Sequence, residues 1–393
     1  MSFHLRSYDY DRHNDDIRGV WEAYHAGKPT RAPVILGVNP RIFLLNPALN
    51  TQGITFEQYS EDADTMAHAQ LQSQRYIRHH LIQDARMGPP SDGWHIGVDL
   101  QNYYEAAWFG APVQYRDGQV PDTSPILTND RKRLLFDQGV PDPSTGGVMR
   151  RAWSLYEQMI ANMQSYSLDG LPVLSVGPPA GAGTDGPMTV ACSLRGATEL
   201  CMDFYEDPDY ARELLRFITE ATIHRIREFR KALGHDPKPG IWGLADDSIE
   251  LLSVDMYVEF ILPCHRMLLA ELAGDGPHSI HLCGNVDRLM PTLKRELNLN
   301  VWDAGFPVDY GAVREALGPD FQIQTGPKVS TLLNGTPEQV DAECKAILES
   351  GIMAGGKLIL REANNLSPCT PVENLAAMYK AAGKYGMYQR AWC

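Results

Sequence analysis

The chain has 393 residues, of which 44% are hydrophobic and 21% are charged, so it can bury a large core without disulfides or structural metals. Its formal net charge of −14 at pH 7 argues against broad nucleic-acid binding, and it contains no apolar run of about 18 residues that would predict a membrane span. The polar first residues, MSFHLRSYDYDRHNDD, lack the apolar centre of a signal peptide, so we expect a cytoplasmic protein whose seven cysteines are reduced.

Short apolar segments recur along the chain, and most lead into a loop rich in Gly, Pro, Asp or Asn. The predicted strands are residues 32–38, 95–100, 171–176, 240–244, 279–282, 300–302, 321–323 and 357–360. Strands that alternate with helices in this way predict a single (β/α)₈ TIM barrel, and a doubly wound open sheet is the alternative. We treat residues 1–393 as one α/β domain with N-terminal and loop insertions at approximately 46–93 and 101–165.

The second insertion begins with an aromatic segment that contains Tyr103, Tyr104, Trp108 and Tyr115. One interpretation is that these residues belong to extra helices packed on the barrel. The other is that they form a lid or aromatic wall over a ligand. On the second interpretation, Tyr103 and Tyr104 are predicted substrate-binding residues.

Several helix starts carry recognisable capping signals. Asp207 precedes Pro208, and an apolar stripe at three- and four-residue steps then runs to Gly234. Thr336 and Thr370 each open a predicted capping box. These features place the loops just before the helices, which is where a barrel carries its functional residues.

The stretch SIHLCGN at 279–285 is the most informative part of the sequence for chemistry. His281 and Cys283 are two residues apart on a predicted strand, so their side chains project to the same face. An imidazole and a thiolate at this spacing suit a zinc ion. A buried histidine next to a small core cysteine is the alternative. Asn285, which follows directly, is a predicted substrate-binding residue.

A third zinc ligand has to come from elsewhere in the sequence. Cys369 directly precedes the predicted cap at Thr370, where the positive end of a helix dipole favours the thiolate. In a barrel, the loops after the fifth and eighth strands both reach the central mouth. Cys369 is therefore a predicted metal ligand, with an inert, partly exposed thiol as the alternative.

Carboxylates also follow predicted strands. Asp246 and Asp247 come after the fourth strand and Glu362 after the last, so each is a candidate catalytic group, metal ligand or substrate clamp. Helix capping is the alternative for the two aspartates. Asp303 and Asp309 are weaker candidates of the same kind.

Arg41 follows the first predicted strand, at the end of a barrel where substrates bind. It is a candidate for pairing with an anionic substrate group. An ordinary surface arginine is the alternative.

Taken in order, several short motifs resemble the uroporphyrinogen decarboxylase superfamily. The matching pieces are GKPTRAP at 27–33, GPMT at 186–189 with LRG at 194–196, DD at 246–247, HLCG at 281–284, GTPE at 335–338 and TPVEN at 370–374. They occur in family order across nearly the whole chain. The superfamily includes the decarboxylase and the zinc methyltransferases that move methyl groups from corrinoid proteins to thiols. The resemblance implies a TIM barrel.

Two features bear on the branch of the superfamily. The segment GVNPRIF at 37–43 contains a single arginine, Arg41. The resemblance to the decarboxylase would instead imply a pair of arginines in this region. The H-x-C pair instead matches the methyltransferase branch. In that branch a late cysteine lies about where Asn364 stands here, so either Cys369 takes its role from a shifted position, or Glu362 or an asparagine oxygen completes the site.

The resemblance therefore implies a zinc-dependent methyltransferase. Zinc would be held by His281, Cys283 and Cys369 or Glu362, and a corrinoid (methylcobalamin) would exchange a methyl group with a small thiol or a small methylated substrate. A metal-free tetrapyrrole decarboxylase and a non-catalytic corrinoid-binding barrel are the alternatives. The expected partner is a small-molecule substrate; a corrinoid protein and a second copy of the chain stay open, and neither nucleic acid nor membrane is expected.

Overall fold

The structure is a computed structural model that describes residues 8–179 and 183–388. The first half contains α1 (Tyr10–His25), α2 (Arg41–Leu44), α3 (Phe56–Glu61), α4 (Ala63–His80), β1 (Trp94–Gly97), α5 (Tyr104–Trp108), β2 (Val113–Gln114), β3 (Asp122–Thr123), α6 (Leu134–Gln138), α7 (Met149–Asn162), β4 (Ser167–Leu168) and β5 (Leu171–Gly177). The second half contains α8 (Pro187–Arg195), α9 (Ala197–Glu206), α10 (Pro208–Ala232), β6 (Gly243–Ala245), α11 (Val254–Met256), α12 (Leu262–Leu272), β7 (His278–Leu282), α13 (Met290–Leu297), β8 (Leu299–Ala304), α14 (Tyr310–Leu317), β9 (Gln322–Thr325), α15 (Val329–Asn334), α16 (Pro337–Glu349), β10 (Leu358–Leu360) and α17 (Val372–Tyr385).

The barrel wall is made of parallel strands that alternate with helices. Five of them pair in the order β10-β9-β8-β7-β6, and β1 pairs in parallel with β5. Val34 adds a parallel bridge to Leu360, beside β10. Together with the Val34 segment, these strands lie where the sequence predicts them, and the (β/α)₈ TIM barrel is confirmed.

The first predicted strand, 32–38, is an exception, because the structure forms only an isolated bridge there. The backbone N–H of Val34 donates to Asp84 Oδ2 at 2.6 Å, and that of Leu36 donates to Gln83 Oε1 at 3.0 Å. Since side chains take these donors, no continuous ladder can form on that edge. The segment still runs beside β10 and delivers residues 37–41 to the barrel mouth.

Two of the three predicted helix caps are confirmed. Asp207 accepts a hydrogen bond from the backbone of Tyr210, and Thr336 forms a full capping box with Gln339. The box predicted at Thr370 is wrong, because its hydroxyl donates to the Ser367 carbonyl at 2.7 Å and α17 begins without a side-chain cap. The stretch that contains Cys369 is therefore a turn that precedes the helix.

The predicted insertions are largely helical. Helices α3 and α4 lie within 46–93, and α5 to α7 lie within 101–165. Helix α4 packs against both β1 and α7, so the two insertions cover the β1–β5 side of the barrel. None of the helices in the described residues is long and apolar enough to cross a membrane.

Candidate metal centre and surrounding pocket

His281 and Cys283 lie side by side at the carboxyl end of β7. Burial alternates along this strand, so Ile280 and Leu282 point into the surrounding core while His281 and Cys283 share the other face. The His281 Nε2 atom is 3.2 Å from Cys283 Sγ. The prediction that these two side chains project together is confirmed.

Asp247 completes a three-residue cluster with this pair. It follows β6, which pairs in parallel with β7, and its Oδ1 atom accepts the Cys283 backbone N–H at 2.7 Å. Its Oδ2 atom is 3.4 Å from Cys283 Sγ, and its Oδ1 atom is 3.9 Å from His281 Nε2. One ligand atom from each residue lies within 4.8 Å of the other two. Imidazole, thiolate and carboxylate are the zinc ligands of catalytic sites that keep a fourth position open.

Asp303 holds the other side of the His281 ring. The two residues are register partners in β7 and β8, and Asp303 Oδ2 is 2.8 Å from His281 Nδ1. Arg361 in turn places a guanidinium nitrogen 2.8 Å from Asp303 Oδ1. With the proton on Nδ1 facing Asp303, Nε2 presents its lone pair to the cluster, which is the outer-shell arrangement that orients metal-binding histidines.

The titration of His281 reflects the same contacts. Burial lowers the pKa of His281, but hydrogen bonds to Asp303 and Cys283 outweigh it and raise the pKa to about 10. Burial raises the pKa of Cys283, and its hydrogen bond with His281 only partly opposes this. Without a metal the cluster therefore holds protons, which a bound cation would displace.

A pocket of about 580 Å³ opens above the cluster at the barrel mouth. Side chains from seven different elements or loops bring charge to it: Arg41, Glu105, Asp122, Asp185, Asp247, Asp303 and Arg361. The wall is therefore unusually polar for a small-molecule site, since most such pockets are predominantly apolar. Arg41 lies where the sequence predicts it, at the edge of this pocket.

Asp246, a predicted catalytic residue, does not reach the pocket. It is fully buried, and its carboxylate accepts bonds from the backbone N–H groups of Met188 and Thr189 at the start of α8. It also pairs with His265 Nε2 at 2.9 Å. Asp246 thus caps a helix and anchors the turn that presents Asp247, which corrects its predicted position.

Glu362 is also placed behind the pocket wall rather than in it. It is fully buried, and its Oε1 atom accepts the Gly37 backbone N–H at 2.7 Å and lies 3.2 Å from Arg361. Its Oε2 atom has no partner among the described residues. Burial raises the pKa of Glu362 to about 7, although Arg361 opposes the shift. The neighbouring residues Arg361 and Asn364 line the pocket instead.

The structure does not bring Cys369 to His281 and Cys283. It is exposed, it has a positive φ of 65°, and its thiol donates weakly to the Leu45 carbonyl at 3.7 Å. The metal-ligand cluster within the described residues is formed by Asp247, His281 and Cys283 alone. The side chain that the structure places beside His281 and Cys283 is that of Asp247, which the sequence offered as a catalytic group, a metal ligand or a substrate clamp.

The predicted substrate-binding residues Tyr103, Tyr104 and Asn285 lie outside this pocket. Both tyrosines are buried in the core, and Tyr104 donates to the Gly183 carbonyl at 3.1 Å. Asn285 is exposed on the loop after β7. Because successive helical residues point about 100° apart, the turn that buries the tyrosines directs Asn102 and Glu105 into the pocket.

Sequence reasoning missed Asp185, Glu105 and Arg361 as pocket residues. Asp185 stands immediately before the GPMT motif and Arg361 immediately after the last strand, which were the available signals. Glu105 lies within the aromatic segment and carried no signal of its own. Asp303 was only a weak candidate, yet its register with His281 makes it a central contact.

Almost the whole chain matches the model of a known protein family. The family model described as uroporphyrinogen decarboxylase (URO-D) matches residues 19–385. The motifs that suggested this superfamily lie within that range.

Curated relatives match over part of their length. The methylated-thiol–coenzyme M methyltransferase of Methanosarcina mazei is 31% identical over 199 residues, which are 50% of each chain. The methylcobamide:CoM methyltransferase MtaA of Methanosarcina barkeri is 26% identical over 228 residues, 53% of this chain and 60% of that protein. The chain thus spans about half the length of the curated relatives it matches.

A solved structure matches over nearly all of both chains. A methyltransferase from Methanosarcina mazei aligns with a TM-score of 0.61 at 18% identity, covering 94% of this chain and 98% of that one. At this identity the match supports the fold alone.

Proposed function

The chain belongs to the uroporphyrinogen decarboxylase family, and from that premise we propose that it is a zinc-dependent methyltransferase. It moves a methyl group between a corrinoid, methylcobalamin or a corrinoid protein, and a small thiol or small methylated substrate. The proposal refines the ligand set that the sequence predicts, because Asp247 takes the place of Cys369 beside His281 and Cys283.

The observation that carries this proposal is the oriented three-donor cluster at the floor of the pocket. The nitrogen, sulfur and oxygen donors face one another, and Asp303 fixes the histidine from behind. A buried histidine–cysteine pair without a metal role would not require a carboxylate beside the thiol, since that contact raises the pKa of Cys283. The names of the two curated relatives agree with methyl transfer.

His281, Cys283 and Asp247 would hold the zinc ion. When bound, zinc favours the thiolate form of a substrate thiol at neutral pH and so makes it a nucleophile. Asp303 keeps the His281 ring in one tautomer, and Arg361 keeps Asp303 in place. These contacts give the cluster a fixed orientation before substrate arrives.

The pocket walls supply the rest of the chemistry. They would orient the small substrate relative to the bound corrinoid, which would lower the entropy cost of the transfer. Asn364 and Asn365 line the pocket beside Arg361 and can accept or donate hydrogen bonds to the substrate. Their amides stand in the loop where the family resemblance placed a further cysteine.

Methyl transfer from methylcobalamin to a panel of small thiols tests the proposal, read from the change in the cobalamin absorption spectrum. Zinc-loaded protein should show turnover, and protein treated with a chelator should lose it and recover on adding zinc. Cys283→Ser should be inactive, whereas the matched variant Cys369→Ser should behave as wild type. Zinc-loaded protein that transfers no methyl group in either direction, to thiols or from methylated donors, would refute the proposal.

A further inference from the structure

Most charges in the pocket are already paired. Asp303 is held by Arg361 and His281. Glu105 is 2.5 Å from Arg225, a fully buried arginine behind the wall. Asp247 belongs to the cluster and would be neutralised by a bound cation. Three charged side chains that line the pocket have no ion-pair partner among the described residues: Arg41, Asp185 and the exposed Asp122.

Arg41 offers a free edge to the pocket. Its Nε atom donates to Gln101 Oε1 at 2.6 Å and one terminal nitrogen donates to Asn102 Oδ1 at 3.0 Å, so both partners are neutral amides. Among the described residues it forms no ion pair within 4 Å. A half-buried guanidinium without a carboxylate is a ready partner for an anionic ligand group.

Asp185 is held rigidly by its backbone while its side chain is left without a partner. Its N–H donates to Glu105 Oε2 at 2.5 Å, and its carboxyl group has no hydrogen bond within the described residues. Burial raises the pKa of Asp185 to about 7, helped by the charges of Glu105, Asp247 and Asp246 and opposed by Arg225. A cationic ligand group beside Asp185 would favour its ionised form and offset the free-energy cost of burying that charge.

Arg41 and Asp185 act on each other across the same cavity. The charges that favour the ionised Arg41 guanidinium are those of Asp99 and Asp185. Asp99 lies outside the pocket and accepts bonds from Tyr59 and Gln101, whereas Asp185 lines the same pocket as Arg41 and is open to a ligand there. Asp122 adds a further, exposed carboxylate at the rim.

We propose that the small substrate is a zwitterionic sulfur compound, whose carboxylate binds Arg41 and whose ammonium group binds Asp185, with its sulfur directed at the Asp247–His281–Cys283 cluster. The inference rests on the proposed function and names its substrate class. An amino-acid thiol would act as acceptor: its S–H proton is lost to solvent water, the S–CH₃ bond forms, and the Co–CH₃ bond breaks with its electron pair left on cobalt. The corresponding methyl thioether would act as donor to cob(I)alamin by the reverse bond changes.

Comparing the affinities of four small thiols measures the contributions of the ligand's carboxylate and ammonium groups separately. Calorimetric titration of zinc-loaded protein would compare homocysteine, 3-mercaptopropionate, cysteamine and 2-mercaptoethanol, which carry both charges, only the anion, only the cation, or neither. We expect homocysteine to bind about 10- to 100-fold more tightly than either singly charged thiol, since each charged hydrogen bond is worth that range. Methionine, tested with cob(I)alamin, represents the donor direction.

Variants then assign each end of the ligand. Asp185→Asn should remove the preference for homocysteine over 3-mercaptopropionate, and Arg41→Gln should remove the preference for homocysteine over cysteamine. The exposed neighbours Arg116 and Asp117 lie outside the pocket, so Arg116→Gln and Asp117→Asn are matched controls that should change neither ratio. Thermal unfolding of every variant checks that it is folded.

The possible failures are distinguishable. If 3-mercaptopropionate or 2-mercaptoethanol binds and is methylated as well as homocysteine, and Asp185→Asn has no effect on selectivity, the zwitterion proposal is wrong while methyl transfer stands. If zinc-loaded protein binds and methylates none of the thiols and demethylates no donor, the proposed function itself fails.

Discussion

Two regions at the mouth of the barrel follow strand ends but orient their side chains differently. One is formed by the ends of β7 and β8, and the other is the segment after β10. At the first, His281, Cys283 and Asp303 converge within hydrogen-bonding distance. At the second, Glu362 turns inward under Gly37, and Cys369 faces solvent nine residues after β10 ends.

The difference follows from how backbone geometry fixes side-chain direction. Within a strand, alternate residues share a face, and parallel register sets which residue of the next strand lies beside them. After β10 the chain turns through positive φ angles at Asn364 and Cys369, 118° and 65°. Turns of this kind can direct a side chain anywhere, so residue type alone does not locate it.

Replacing a cluster residue should have the largest effect. His281→Ala removes one of the three donors and leaves Asp303 with Arg361 as its remaining partner. We expect methyl transfer to fall by more than the 10- to 100-fold loss typical of outer-shell changes, together with loss of bound zinc. Initial rates and zinc content would be measured on the same samples. Full activity with undiminished zinc would show that the ends of β7 and β8 are not the metal site, and the difference between the two regions would lose its meaning.

Removing the outer contact should have an intermediate effect. Asp303→Asn keeps the shape but replaces the carboxylate that faces His281 Nδ1. Zinc affinity should fall by about 10- to 100-fold, since outer-shell partners of metal-binding histidines typically matter by this amount. A competition titration with a chromophoric chelator measures it. The matched control is Asp309→Asn, which removes only the charge of an exposed helix-capping side chain and should leave zinc affinity unchanged.

The buried acid after β10 should reveal itself in the pH dependence of stability. Because its folded-state pKa of about 7 lies above the unfolded value of 4.5, Glu362 contributes stability at low pH that is lost as pH rises through about 7. Glu362→Gln abolishes this titration and can still accept the Gly37 N–H. Between pH 5 and pH 8, the free energy of unfolding of the variant should therefore rise relative to that of wild type by about 2 kcal/mol. Urea unfolding of chelator-treated protein at both values measures it, and parallel pH curves would show that Glu362 stays ionised.

The exposed thiol should have the smallest effect. Cys369→Ser should leave zinc content unchanged and alter the free energy of unfolding by no more than about 0.5 kcal/mol, as expected for a surface substitution. Elemental analysis and denaturant unfolding check both. Loss of half or more of the zinc would place Cys369 back among the ligands and overturn the assignment of Asp247.

The sequence predicted most of the fold and placed two of the three cluster residues, His281 and Cys283, on one strand, for physical reasons that particular residues illustrate. Strand alternation located His281 and Cys283, and capping signals located α10 and α16. The first strand failed because Asp84 and Gln83, about fifty residues away, take its backbone donors. No local pattern contains that information.

The remaining site residues depended on tertiary contacts in the same way. Asp246 and Asp247 are adjacent and chemically identical, yet one caps α8 and the other faces Cys283. Tyr104 and Glu105 are adjacent too, and the helical turn buries the first and directs the second to the pocket. The sequence identifies the pair of adjacent residues from which a pocket residue comes, and tertiary packing determines which of the two faces the pocket.

X-ray absorption spectroscopy at the zinc edge of the loaded wild-type protein tests the central assignment most directly. The cluster of Asp247, His281 and Cys283 predicts one sulfur at about 2.3 Å and otherwise lighter ligands at about 2.0–2.2 Å. Cys283→Ser should then remove the sulfur shell entirely, while Cys369→Ser should leave it unchanged. Two sulfur ligands in the wild-type spectrum, one of them lost in Cys369→Ser, would contradict the account and place the loop cysteine at the metal.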